Sequence, residues 1–254
     1  MTRLFDLSGH VALITGGNSG IGLGFGRGIA KAGGAVAVLA RDVEQNARAV
    51  AELRALGADA EAFRCDVSRE EDIVTATEGV LKRFGQIDSC FANAGLGGNA
   101  ATVDTSRADF QRVLDVNLVG AFLTFREAVK AMIARGKGGK LVVTSSVGSV
   151  HGMPKSAAYA ASKAAVLALV RSLAVELGRY DIQANAIVPG WIETDMTAGA
   201  LAWPKLRDTV TSRTPARRWG KPEEFEGIAV YLASKESKFH NGDVLTLDGG
   251  YTVF

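Results

Sequence analysis

His10-Val11-Ala12-Leu13-Ile14-Thr15-Gly16-Gly17-Asn18-Ser19-Gly20-Ile21-Gly22 decides the architecture of this 254-residue chain. The apolar run over 11–15 reads as a short strand covered on both faces. A glycine turn follows at once, and residues 21–32 read as a helix that stops at Gly33-Gly34. Strand, glycine turn and helix start together form a dinucleotide-binding unit. Glycines at 16, 20 and 22 let backbone N–H groups approach a pyrophosphate with no Cβ in the way. The helix N-terminus adds partial positive charge. The spacing Gly-x-x-x-Gly-x-Gly differs from the commoner Gly-x-Gly-x-x-Gly.

Outward from this unit, strands and helices alternate. Strands are predicted at 11–15, 35–39, 62–65, 89–92, 141–144, 183–188 and 244–247, most of them continuous apolar runs. Helices are predicted at 21–32, 43–56, 70–84, 107–135, 156–177 and 222–233. Gly136 and Gly178 read as C-terminal caps. Pro222 suits a first helical turn, with Glu223 and Glu224 at the positive dipole end. This order predicts an α/β fold in which residues 1–254 form one domain around a doubly wound, seven-stranded parallel sheet. In such sheets ligands bind beyond the strand C-termini. The alternation lapses over 190–220, which carries Trp191, Met196, Trp203 and Trp219 with Gly199 as a hinge. A segment there acts as a lid over substrate, or else it is a surface excursion packed by its own aromatics.

A hydrophobic content of 47% supports one sizeable core. The net charge of +2 offers nothing to nucleic acid. Cys65 and Cys90 fall in predicted strands and read as core residues; no metal-ligand spacing occurs. Residues 1–9 lack an apolar signal core. The longest apolar run, 164–170, is far shorter than the ~20 residues of a membrane span. These readings predict a cytoplasmic protein with no membrane partner.

Tyr159 and Lys163 stand four apart in a predicted helix and so share a face. A phenol, with an ordinary pKa of ~10, is a poor base near neutrality. A fixed ammonium favours the phenolate and lets the phenol exchange protons with an alcohol or carbonyl. Taken alone, Tyr-x-x-x-Lys also fits an ordinary amphipathic helix. With the glycine spacing, however, it resembles the short-chain dehydrogenase/reductase family, and the resemblance covers nearly the whole chain. Asp66-Val67 resembles the adenine-contacting turn after the third strand. Asn93-Ala94-Gly95 resembles the turn after the fourth, although Ala92 stands where the family usually has a first asparagine. Asn117 matches the family's helical asparagine. Ser146 precedes Tyr159 by the family's usual 13 positions, which leaves Ser145 as structural. Pro189-Gly190, Ile192 and Thr194 resemble the loop that holds the nicotinamide carboxamide, and Leu247-Asp248-Gly249-Gly250 fits the family's ending.

The resemblance implies hydride transfer between nicotinamide and a secondary alcohol or ketone. Tyr159 exchanges the hydroxyl proton. Lys163 lowers the Tyr159 pKa and binds the nicotinamide ribose. Ser146 positions the substrate oxygen, and Asn117 holds a water linking Lys163 to solvent. The cofactor set is Gly16, Asn18, Ser19, Gly20, Ile21, Gly22, Arg41, Asp66, Val67, Asn93, Ala94, Gly95, Tyr159, Lys163, Pro189, Gly190, Ile192 and Thr194. His151, Met153 and Trp191 are placed with Ser146 and Tyr159 around the substrate, although His151 also reads as an exposed loop residue. Family members commonly pair the helices over 107–135 and 156–177 across a two-fold axis, which together with the alanines of the second helix predicts a homotetramer.

Cofactor choice turns on the end of the second strand, where NAD-specific relatives place an acid. Ala40 occupies that position, 18 residues beyond Gly22, and Arg41 follows. Both favour NADP(H), with NAD(H) as the alternative, since Asp42 is close enough to enter the ribose site by a shift of register. The opening Leu4-Phe5-Asp6-Leu7-Ser8-Gly9 resembles that of sugar-acid dehydrogenases such as gluconate 5-dehydrogenases. The same motifs occur in 3-oxoacyl-carrier-protein reductases, which would need a basic docking patch; Arg126, Lys130, Arg135 and Lys137 could form one. A nucleotide-sensing binding protein without catalysis is the remaining alternative. It is disfavoured by the presence of Ser146, Tyr159 and Lys163 together.

Overall fold

Leu13, Cys90, Leu141 and Ala184 stand side by side across four parallel strands and are fully buried. Their chain neighbours Ile14, Phe91 and Val142 face the other way and are as deeply buried. Successive strand residues point to opposite faces, so continuous apolar strands require helices on both sides. A computed structural model, describing residues 4–98 and 100–254, shows that arrangement.

In chain order the main elements are β1 (Val11–Thr15), α1 (Gly20–Lys31), β2 (Ala35–Ala40), α2 (Val43–Ala55), β3 (Ala60–Arg64), α3 (Glu70–Phe84) and β4 (Ser89–Ala92). Then come α4 (Arg107–Leu114), α5 (Gly120–Arg135), β5 (Gly139–Thr144), α6 (Ala157–Leu177) and β6 (Ile182–Pro189). The chain ends with α7 (Ala198–Leu201), α8 (Pro204–Arg213), α9 (Glu226–Ala233) and β7 (Val244–Leu247). The seven strands form one parallel sheet in the order β3-β2-β1-β4-β5-β6-β7. One core lies under α3, α5 and α6, around Ile73, Val80, Phe125, Met132, Val166 and Val170. The other lies under α1, α2 and α9, where Phe25 packs against Phe91 at 5.1 Å between ring centres and edge-on to Phe225 at 6.3 Å. The strand order reverses between β1 and β4, and a ligand crevice opens at such a switch point.

Local chemistry sets the ends of the helices. The Asp42 side chain accepts from the Gln45 N–H and caps α2; Ser106 does the same for α4 from Asp109. Gly85 and Gly136 take the left-handed conformation at the ends of α3 and α5. Gly178 departs from expectation. It stays right-handed and runs into a 3₁₀ turn over Gly178–Tyr180, and Asp181 adopts the left-handed conformation instead. The helix predicted over 107–135 is also interrupted. A π turn, Asp115–Val119, separates α4 from α5. Cys65 lies one residue past β3 and Cys90 within β4; both are buried free thiols.

Helix Ala157–Tyr180 is long and apolar enough, by length and composition, to cross a membrane, which the apolar-run reading did not register. Here it packs on β6, with Val166, Val170 and Leu177 buried in the core. Residues 190–220 fold into a 3₁₀ turn (Asp195–Thr197), α7 and α8, and Ile192 bridges to Gly220 at the two ends of the excursion.

Candidate active site

At the β1–α1 turn, Gly22 is fixed by close approach. A Cβ there would lie 2.2 Å from the Gly16 carbonyl oxygen and 2.5 Å from Asn93 Nδ2. Ser19 occupies the N-cap of α1 but makes no side-chain cap, so the first N–H groups of the helix are left for an anion. Asn93 ties three strand ends together. Its Nδ2 donates to the carbonyls of Thr15 (3.2 Å) and Gly16 (3.3 Å), and its Oδ1 accepts from the Thr144 hydroxyl (3.0 Å). The Thr15 hydroxyl oxygen in turn accepts from the N–H groups of Asn93 and Ala94. Those bonds leave little for the strand residue Ala92 to supply. Asp66 accepts from the Ser68 N–H (3.0 Å) and hydroxyl (2.7 Å). Burial works against its charge, but these bonds and the nearby Arg41 hold its carboxyl below the ordinary value.

The reactive side chains come from β5 and α6. Ser146 follows β5, and its Oγ accepts from the Gly148 N–H at 3.1 Å. Burial pushes the Tyr159 phenol above its ordinary pKa, and a hydrogen bond with Ser146 pulls it part of the way back. Lys163 is 4% exposed, and burial pushes its pKa down to about 8. Its Nζ donates to the Thr144 carbonyl at 2.8 Å and lies over the Tyr159 ring, 5.8 Å from the ring centre. The ammonium is therefore stacked on the ring, with its hydrogen bond made to the backbone of β5. Ser145 donates to the Lys163 carbonyl at 2.7 Å, a bond that ties α6 to the strand end.

Asn117 sits in the π turn and is 1% exposed, which excludes a solvent-facing role. Its Oδ1 accepts from the Leu96 N–H (2.7 Å), and its Nδ2 donates to the Leu96 carbonyl (2.9 Å) and to Ser162 Oγ (3.0 Å). Both Nδ2 protons are committed while Oδ1 keeps one free lone pair, so the side chain can accept from a relay water but not donate to one. A π turn winds in one extra residue and drops a carbonyl out of the helical ladder. Leu96, Ser162, Thr144 and Thr15 are the supporting residues that sequence reasoning missed. They act through backbone atoms or single hydroxyls, which carry no spacing signature.

One cavity of ≈ 610 Å³ joins these parts. Of the predicted cofactor residues, Gly16, Asn18, Ser19, Gly20, Ile21, Arg41, Asp66, Val67, Asn93, Ala94, Gly95, Tyr159, Lys163, Pro189, Gly190, Ile192 and Thr194 line it. Gly22 lies behind the turn. Ser146 lines the inner end, and Met196 and Thr197 reach in from the 190–220 segment. The predicted substrate residues are not all brought together. Trp191 faces a second, smaller cavity of ≈ 250 Å³, and its ring is edge-on to Trp219 at 5.3 Å. Met153 and His151 do not line the large cavity. The Met153 sulfur and the Tyr159 ring both lie against Gly148, within 3.0 Å and 3.4 Å of where its Cβ would be. His151 lies edge-on to Tyr251 at 5.9 Å.

Residues 16–252 match the family model described as enoyl-(acyl carrier protein) reductase. The chain belongs to the short-chain dehydrogenase/reductase family. It is 37% identical to a gluconate 5-dehydrogenase of Gluconobacter oxydans, over 98% of this chain and 97% of that one. It is 38% identical to an A-factor type gamma-butyrolactone 1'-reductase of Streptomyces virginiae, with 97% of each chain covered. The crystal structure of a gluconate 5-dehydrogenase from Burkholderia cenocepacia, in complex with NADP and tartrate, superposes with a TM-score of 0.93 at 37% identity over 98% of both chains.

As a short-chain dehydrogenase/reductase, the protein is an oxidoreductase that acts on hydroxyl or keto groups with a nicotinamide cofactor. The site fits that cofactor in shape. The glycine turn, the uncapped α1 terminus, Asp66 and Tyr159 lie along one cavity, and a Cβ at Gly95 would lie 3.4 Å from Lys163 Nζ. The basic patch that would suit an acidic carrier is largely neutralised within the chain. Arg126 pairs with Glu70 and Glu127, Lys130 with Glu127, and Arg135 with Asp88.

Proposed function

We propose that this enzyme interconverts a secondary hydroxyl and a ketone on a sugar acid such as gluconate, with NADP(H) preferred over NAD(H). The observation that carries the reading is the single cavity that runs from the glycine turn and Arg41 to Ser146, Tyr159 and Lys163. Bound there, the cofactor supplies or accepts the hydride. Tyr159 gives or takes the proton of the substrate oxygen, and Ser146 orients that oxygen and steadies the phenolate by hydrogen bonding. Lys163 holds positive charge beside the Tyr159 ring and is placed to meet the nicotinamide ribose. Asn117 fixes Leu96 and Ser162 around Lys163. The helical segment over 190–220 serves as the lid, since Asp195, Met196 and Thr197 already line the cavity. The sugar-acid assignment draws on the relatives named for gluconate, and the neutralised basic patch weighs against a carrier-protein substrate.

The test is a spectrophotometric screen of sugar acids, polyols, simple secondary alcohols and oxoacyl thioesters with both cofactors. Turnover of gluconate or a close relative with NADP(H) is expected. Efficient turnover of oxoacyl thioesters with none of sugar acids would replace this reading with the carrier-protein one. Cofactor binding without turnover of any substrate would point to a nucleotide sensor.

A further inference from the structure

We propose that Arg213 and His151 form the subsite that takes the carboxylate of the substrate, with Tyr251 as the platform that holds them. This rests on the sugar-acid reading above. Three separate parts of the chain converge here. Arg213 is the last residue of α8, and its guanidinium carbon lies 4.2 Å from the centre of the Tyr251 ring. His151 comes from the loop after β5 and stands edge-on to the same ring, at an interplanar angle of 86°. Tyr251 belongs to the C-terminal turn.

Both charged or polar groups lack a partner. Among the described residues, no carboxylate forms an ion pair with Arg213, although most other arginines have one. His151 Nε2 is buried with no hydrogen-bond partner. A buried polar atom left unpaired costs free energy; a turn of the His151 ring would bring Nε2 to a ligand oxygen that satisfies it. A guanidinium stacked on an aromatic ring is held in one plane, with its N–H fork free at the edge, which is the geometry that grips a carboxylate in two places.

The platform is built rigidly. Asp248 accepts from the N–H groups of Gly250 (2.8 Å) and Thr252 (2.7 Å), closing the turn that presents Tyr251. The Ala216 N–H donates to the Gly249 carbonyl (3.0 Å) and ties the end of the lid segment to the same turn. The subsite is joined to the reaction centre through one loop. His151 shares its loop with Ser146, its N–H donating to the Val147 carbonyl (2.9 Å), and Gly148 in that loop touches Met153 and Tyr159. A hydroxy acid can thus put its hydroxyl on Ser146 and Tyr159 and extend its carboxylate toward the lid.

The test compares D-gluconate with D-glucitol, the same carbon chain with a hydroxymethyl group in place of the carboxylate, in the full-length enzyme with NADP⁺. Wild type should favour gluconate in kcat/KM. Arg213→Gln and His151→Gln should each cut that preference, Arg213→Gln by about tenfold or more, chiefly through the KM for gluconate. Arg213→Lys, which keeps the charge but loses the fork, should fall between. Lys205→Gln, which removes an exposed charge from the same helix, should leave the preference at the wild-type value. A strong gluconate preference that survives in Arg213→Gln, Arg213→Lys and His151→Gln overturns this subsite while leaving the sugar-acid reading intact. A wild type that turns over neither compound, or glucitol as well as gluconate, defeats the sugar-acid reading and the subsite with it.

Discussion

Lys163 lies over the face of the Tyr159 ring, its Nζ 5.8 Å from the ring centre, and donates its hydrogen bond to the Thr144 carbonyl. The lysine is thereby fixed to β5 and acts on the phenol through space. A fixed cation within about 6 Å still favours a phenolate, while the burial that raises the Tyr159 pKa is opposed by its hydrogen bond with Ser146. Lys163 is itself destabilised as a cation by burial. Each group therefore benefits when the other is charged.

Tyr159→Phe removes only the phenol oxygen. It should cost at least ~10²-fold in kcat, the lower range for a lost general acid or base, while cofactor affinity, measured by fluorescence titration, stays near wild type. Turnover at the wild-type rate would show that another group moves the proton.

The pH profile follows from the same pair. Alcohol oxidation needs Tyr159 deprotonated, so kcat/KM for oxidation should rise with pH. Lys163→Met removes the cation and should move that rise to higher pH, with a loss of cofactor affinity. An unchanged inflexion in the residual activity of Lys163→Met would mean that the ammonium serves only to bind cofactor.

Most of this arrangement was legible in the chain. Glycine spacing, the Tyr159–Lys163 interval and the order of the strands are local or periodic features, and the fold preserves them. What was not legible depends on contacts between distant segments. The π turn at Asn117 breaks a continuous helical pattern, because the amide is pulled onto Leu96 across the cavity mouth. Trp191 reads as a lid aromatic but pairs with Trp219, 28 positions away. Arg213 and Tyr251 carry no motif at all; only the closing of the C-terminal turn against the end of α8 brings them together.

Stability should show a surplus buried charge. Lys140, at the start of β5 and far from the site, is 8% exposed, and its Nζ has no hydrogen-bond partner. Burial pushes its pKa down to about 8, with Asp181 pulling the other way. A lowered pKa means that the folded state resists protonation. The penalty is present in full below pH 8 and disappears as pH rises toward the ordinary value of ~10.4. Lys140→Met should therefore raise stability at pH 7 by about 1–3 kcal/mol, or roughly 2–4 °C in Tm per kcal/mol. The gain should shrink at pH 10, with activity unaffected. Equal melting temperatures of variant and wild type at pH 7 would contradict this.

A homotetramer is expected from the surface of α5 and α6. Ala161, Ala164 and Ala168 form an exposed stripe of small residues on α6, continued by Val175 at 86% exposed, and Phe122 is exposed on α5. Phe125, the other aromatic of α5, is buried in the core and takes no part in this surface. Light scattering should report four copies of the 26.6 kDa chain. Val175→Glu combined with Phe122→Glu should lower that mass. A monomer at micromolar concentration in wild type would rule the tetramer out.

Cofactor preference rests on one strand end, and the side chains there narrow the choice. Asp42 could have served the ribose of NAD(H), but its Oδ1 accepts the Gln45 N–H at 2.9 Å as the cap of α2. Releasing it would uncap the helix, at a cost of about 1 kcal/mol. Ala40, buried at the end of β2, brings no carboxylate to repel a 2′-phosphate. Arg41 is largely exposed and lines the cavity, with Asp66 Oδ2 3.8 Å from its guanidinium, too far for a hydrogen bond. It is free to turn toward a phosphate. NADP(H) should therefore give the higher kcat/KM. Arg41→Ala should erode that preference, and Ala40→Asp should reverse it by placing a carboxylate where the phosphate would sit. A wild type that favours NAD(H), with a ratio that Arg41→Ala leaves unmoved, would show that the phosphate is not read at this strand end.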